Sequence, residues 1–96
     1  MNGLPLVSIA IELPNGLKET LYYPSEVVLN YLEEKEYSIE EFIKLASDSL
    51  DASQQRVIQK LGYQCLGCFF IKDKLSIWSR DLDQKSIISI TKITIY

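Results

Sequence analysis

Histidine is absent from the chain. Its absence removes the commonest general base, and with it the Ser-His and Cys-His pairs that activate a nucleophile. Cysteine is scarce as well, at 2 residues, so one chain cannot supply the four Cys or His donors of a structural zinc site. Positive charge is thin: 10 Lys and Arg stand against 13 Asp and Glu, for a net charge of −3. A duplex-binding protein must displace the counterions condensed on phosphate, and these few cations are spread along the whole chain. Nucleic acid and anionic membrane surfaces are therefore not expected as partners. Long apolar runs are missing too. The longest uncharged stretches, 1–11 and 61–71, are 11 residues each, against the roughly 20 needed to span a bilayer. No basic segment precedes the first apolar run, so no secretory signal is read and a cytoplasmic location is the expectation. With only 4 glycines, no glycine-rich loop leads into a helix to cradle phosphate. No Asp/Asn-x-Asp/Asn-x loop for calcium occurs either. No cofactor and no metal site follow from this composition.

What is present suits one globular domain over residues 1–96. Hydrophobic residues make up 47 % of the chain and aromatics 10 %, which argues against disorder. At this length folding buries roughly 60–70 % of the surface the unfolded chain exposes, enough for one core.

Val7, Ile9, Ile11 and Leu13 alternate with Ser8, Ala10 and Glu12, the period of a half-buried strand. Pro14-Asn15-Gly16 interrupts, and Leu17 to Tyr23 alternates again. A two-residue Asn-Gly turn would set Glu12 opposite Glu19, like charge against like. A three-residue loop with Gly16 as a G1 bulge instead pairs Val7 with Tyr23, Ile9 with Leu21, and Glu12 with Lys18. The second register is the expectation.

Pro24-Ser25 stops this strand, and Ser25 can cap a short helix from Glu26 to about Leu32. Glu33 to Glu36 reads as a charged link. Ser38-Ile39-Glu40-Glu41 is a capping box, with Tyr37 placed to staple onto Phe42 or Ile43. Ile39, Phe42, Ala46, Leu50, Ser53, Val57 and Leu61 then step by three and four along a long helix, which Gly62 stops. Cys68, Ile71, Leu75, Trp78 and Leu82 repeat that stepping, which predicts a third helix from about Cys65 to Leu82. Ile87 to Tyr96 is rich in β-branched residues and reads as a last strand. The expected fold is α+β in the order β-β-α-α-α-β. Its sheet has three strands, the N-terminal hairpin plus the C-terminal strand, covered on one face by helices.

Cys65-Leu66-Gly67-Cys68 is the sharpest local signal. A cysteine pair at a helix start can have a depressed thiol pKa, which makes Cys65 and Cys68 redox candidates. Such a pair is expected after the first strand of a βαβ unit, and here it follows a long helix. The structural alternative is that Cys68 is a small apolar residue on a buried helix face. Glu33, Glu34, Glu36, Glu40 and Glu41 form an acidic patch, either a site for a cation or basic partner or a solvated helix start. Tyr22, Tyr23, Tyr31, Tyr37, Tyr63 and Trp78 either line a pocket or edge a small core. In the last strand, strict alternation puts Ile87, Ile93 and Ile95 on one face and Ile88, Ile90 and Tyr96 on the other. The second set is a candidate interaction strand, for a protein partner or for self-association.

Leu21-Tyr22-Tyr23-Pro24-Ser25-Glu26-Val27-Val28, Tyr37-Ser38-Ile39-Glu40-Glu41-Phe42, Ala52-Ser53-Gln54-Gln55-Arg56-Val57 and Leu61-Gly62-Tyr63-Gln64-Cys65 share one cadence. It resembles that of a family of small bacterial nitrogen-starvation response proteins, over about residues 10–82. The resemblance implies a gene placed beside a nitrilase and other nitrogen-assimilation enzymes, and brings no catalytic residue with it. The family pattern has a cysteine where Cys65 stands but small residues near Cys68, so it does not imply a working pair. The expected function is that of a non-catalytic accessory or interaction protein, with homo-oligomerisation included. The alternatives are a small thiol-redox protein or sensor using Cys65 and Cys68, and a small-molecule binder with an aromatic pocket.

Overall fold

The hairpin forms in the register that its turn chemistry demands. In a computed structural model that describes residues 7–23, 26–61 and 66–96, β1 (Val7–Glu12) runs antiparallel to β2 (Lys18–Tyr23). Val7 faces Tyr23, Ile9 faces Leu21, and Glu12 faces Lys18. Gly16 adopts a φ of 90° and donates its amide to Leu13 at 2.9 Å. That left-handed conformation suits glycine, which has no Cβ to clash. Asn15 Oδ1 accepts from the Leu17 amide at 3.0 Å and holds the turn.

Among the described residues the sheet has four strands in the order β2-β1-β4-β3, all antiparallel. The expected order of three strands and three helices is corrected at two places. Glu36–Ser38, read as the end of a charged link and the helix cap, forms β3 against Ser89, Ile88 and Ile87. With a single apolar residue, Tyr37, it carries no alternation of its own; β4 supplies the edge that makes it a strand. The short helix after β2 is a 3-10 turn, Glu26–Asn30. Five residues are too few to sustain an α-helical ladder. The turn ends where Tyr31 and Leu32 both donate to the Val28 carbonyl. Ser25 as a cap, Gly62 as a stop, and the side chains of Val57 and Leu61 lie outside the described residues.

β4 (Ile87–Ile95) is central, and it contains a bulge. Ile11 faces Ile90 and Ala10 faces Lys92, leaving Thr91 unpaired with its hydroxyl donating to the Ala10 carbonyl at 3.2 Å. One extra residue exchanges the two faces of everything beyond it. Ile88, Ile90, Ile93 and Ile95 therefore share the face of Val7, Ile9 and Ile11, and the strict alternation expected from the sequence is corrected. Ile87, Lys92, Thr94 and Tyr96 fall on the opposite face.

α1 (Ile39–Leu61) and α2 (Leu66–Asp81) cover the apolar face. Ile39, Phe42, Ala46, Leu50 and Ser53 of α1 are buried, as are Cys68, Ile71, Leu75 and Trp78 of α2. The Phe42 ring sits 6.3 Å from both Tyr37 and Trp78, joining β3, α1 and α2. The loop after α2 secures both helices. Gln84 Nε2 donates to the carbonyls of Ser79 and Leu82 at 3.1 and 2.8 Å. Its own carbonyl and that of Ser86 accept the amides of Glu40 and Ile39, at 3.1 and 2.9 Å. Ser38 Oγ accepts the Glu41 amide at 3.2 Å, which gives the first turn of α1 a third acceptor.

Candidate functional site

Of the two cysteines, Cys65 lies outside the described residues. Cys68 is 2 % exposed on the inward face of α2. It is close enough to bear on the Tyr23 hydroxyl, which burial first of all pushes far above the ordinary tyrosine range. A hydrogen bond with Ser49 pulls it partly back, and Cys68 adds to the rise. The Tyr23 and Ser49 oxygens are 3.1 Å apart, and the Ser49 hydroxyl also donates to the Ala46 carbonyl at 2.7 Å. The single Ser49 proton lies within reach of both the Ala46 carbonyl and the Tyr23 oxygen, and donation to Tyr23 is what favours the ionised hydroxyl and lowers its pKa. This cluster is a neutral, buried polar network that fastens β2 to α1.

The acidic residues do not converge on one point. Glu40 and Glu41 occupy the first turn of α1, where carboxylates complement the positive end of the helix dipole. Glu34 makes a contact that no local pattern announced: its Oε2 accepts the Ile93 amide at 2.8 Å, across the chain on β4. Among the described residues, no group of three or more His, Cys, Asp or Glu is placed to hold a metal ion. The aromatic residues are dispersed as well. Tyr23, Tyr37 and Trp78 are core, Tyr22 is on the open face of the sheet, and Tyr63 lies outside the described residues. Tyr31 borders a cleft of about 370 Å³ with Asp48, Asp51 and Gln55. A second cleft, of about 420 Å³, runs between α1 and α2 and carries Lys72, Arg80 and three serines over Ile43 and Leu75. Both are open to solvent, and Lys72 and Arg80 are each paired to an aspartate, Asp51 and Asp81.

The candidate interaction strand is split by the fold. Ile88 and Ile90 are buried in the core, and Tyr96, 67 % exposed, lies on the other side of the sheet with its hydroxyl 3.2 Å from Ser8 Oγ. Exposed large apolar residues occur on the hairpin (Leu17, Tyr22), on β4 and just beyond it (Ile87, Ile95, Tyr96), and on α2. Phe69, Phe70 and Ile77 point away from the core, and Phe70 is 72 % exposed. The helix itself was expected from the sequence, but no local signal marked these residues as a surface. Phe69-Phe70-Ile71 has the look of a strand, and only the buried stepping through Ile71 assigns the two phenylalanines to the outside of a helix. Lys74, on the same helix, reaches Glu19 of β2 at 2.7 Å and fixes α2 over that edge of the sheet.

No helix among the described residues is long and apolar enough to cross a membrane. No curated protein and no solved structure matches the chain. A family model described as nitrogen starvation-induced protein NitG does, over residues 8–93. Among the described residues that span runs from Ser8 in the first strand to Ile93 in the last and takes in everything between, and it extends past residue 82, where the resemblance noted from the sequence ended. On this match the chain belongs to the NitG family of nitrogen starvation-induced proteins.

Proposed function

We propose that the protein is a non-catalytic interaction protein of the nitrogen-starvation response, and that α2 presents its binding surface. The observation that carries this reading is the stripe formed by Phe69, Phe70 and Ile77. Two phenylalanines and an isoleucine on the solvent side of one helix are an unusual concentration of large apolar groups. Aromatic side chains of this kind serve as anchors in protein interfaces, because they bury much area with few rotatable bonds. Asp73 stands within the stripe, three residues after Phe70 and four before Ile77, and Lys72 and Arg80 lie beside the stripe on the same helix. The partner it fits is a protein with an apolar groove.

The test is affinity capture from nitrogen-starved cells with the native protein and with Phe70→Ser. Phe70 makes little use of the core, so the variant should keep its thermal midpoint while losing its captured partner. A partner held equally by both proteins would move the binding surface off α2. Native protein that recovers nothing from starved cells would sink the interaction reading itself.

A further inference from the structure

In an antiparallel ladder each residue turns its N–H and C=O toward one neighbouring strand only, and successive residues alternate sides. Ile90 of β4 donates to the Lys35 carbonyl at 3.0 Å, on the β3 side. The bulge at Thr91 resets the alternation, so Lys92 and Thr94, opposite Ala10 and Ser8, face β1. Ile93 and Ile95 consequently face outward, on the side that β3 occupies lower down. β3 ends at the pairing of Glu36 with Ser89. Among the described residues no strand continues along residues 91–95 on that side. The group found there is the Glu34 carboxylate, accepting the Ile93 amide at 2.8 Å. A side-chain oxygen sits where the carbonyl of a neighbouring strand would be.

We infer that the outer edge of β4, from Thr91 to Ile95, is a self-association seam, and that Glu34 is its built-in competitor. A second copy of the chain docks its own β4 antiparallel to this one once the carboxylate leaves the Ile93 amide. The register is self-complementary. A two-fold axis at Thr94 sets Ile93 of one copy opposite Ile95 of the other, and both pairs exchange backbone hydrogen bonds. On the core side of the sheet this brings isoleucine against isoleucine, and it covers Ile95, which is 57 % exposed in the single chain. On the opposite side Lys92 of one copy meets Tyr96 of the other, an ammonium beside an aromatic ring, with no like charges opposed. Unpaired edges of this kind invite pairing, and natural sheets place charged groups on them to prevent it. Glu34 goes further than repulsion, because it satisfies the donor that the incoming strand needs. The seam is separate from the α2 stripe and does not depend on it.

Sedimentation velocity over a range of concentrations, on the native protein, Glu34→Ala and Glu34→Ala/Ile95→Pro, tests this. Removing the charged acceptor should tighten dimerisation by about tenfold or more. Proline at Ile95 deletes an outward-facing donor that the seam requires, so the double variant should lose the gain. Equal dimerisation of the native protein and Glu34→Ala overturns the inference. So does a Glu34→Ala dimer indifferent to proline at Ile95, because its contact would lie elsewhere, on the β2 edge or on α2. If Glu34→Ala fails to fold, Glu34→Gln replaces it. The glutamine keeps an oxygen but loses the charge, so its dimer should fall between native and alanine strength, and a value equal to native overturns the inference.

Discussion

Tyr23 and Ser49 bring a hydroxyl pair into a core that is otherwise almost entirely apolar. Burial raises the pKa of Tyr23, so the folded protein holds that proton to higher pH than the unfolded chain, which releases it near pH 10. The stabilisation is complete below about pH 10 and is lost as pH climbs from there toward the folded value. Tyr23→Phe should cost about 1 kcal/mol near neutral pH, through the lost hydrogen bond. Above about pH 10 the native protein should lose ground to the variant by up to roughly 1.4 kcal/mol per pH unit. Urea unfolding of both proteins at neutral and at strongly alkaline pH gives the comparison. A gap that does not change with pH would mean the hydroxyl ionises in the folded state as it does in water. At this scale the sequence was legible for apolar residues and much less so for polar ones. The stepping of Cys68, Ile71, Leu75 and Trp78 identified inward positions, because three-and-four spacing has one geometric solution. Nothing local identified Ser49 as the partner of Tyr23, or Glu34 as that of Ile93, since each contact joins residues far apart in the chain.

Elements with their own local chemistry formed where that chemistry put them. The hairpin register followed from the unfavourable pairing of Glu12 with Glu19 and the left-handed position of Gly16. The start of α1 followed from Ser38, whose hydroxyl takes the Glu41 amide. Ser38→Ala should cost about 1 kcal/mol, measured as a lower urea midpoint with an unchanged slope. If the midpoint does not move, the carbonyls of Gln84 and Ser86 suffice to satisfy the helix start. Elements without such chemistry were misread. β3 has three residues, two of them polar, and exists because β4 lends it an edge. The bulge at Thr91 has no glycine to announce it. It falls just past the point where pairing with β3, over Ile87–Ser89, stops while pairing with β1 continues to Ile95.

For the molecule as a whole, Phe42 is the junction. Its ring touches Tyr37 on the far edge of the sheet and Trp78 on α2, and it is fully buried. Phe42→Ala should cost roughly 3–5 kcal/mol, the transfer term plus the cavity it leaves. Chemical denaturation reads this directly, and a loss below about 1 kcal/mol would mean that the two helices repack to fill the space. The α2 stripe and the β4 edge belong to the same scale, since both are defined by what the rest of the fold leaves uncovered. The Lys74–Glu19 pair at 2.7 Å holds α2 over β2. As a partly exposed ion pair it should add little stability of its own, and the burial of Cys68, Ile71, Leu75 and Trp78 sets which face of α2 turns outward.

The sequence by itself determined the class of the fold, the register of the hairpin, the extent and buried faces of the two long helices, and the family cadence. Each of these rests on residues close together in the chain, where spacing and turn chemistry decide the outcome. The tertiary structure decided the fourth strand, the exchange of faces at Thr91, the burial of Ile88 and Ile90, and the placing of Glu34 on Ile93. Those depend on pairing between distant segments, and a strand's two faces are assigned only when its neighbours are known. The candidate interaction surface moved for that reason. Alternation pointed to the last strand's apolar side, and packing buried most of that side, leaving Phe69, Phe70 and the outer edge of β4 in its place.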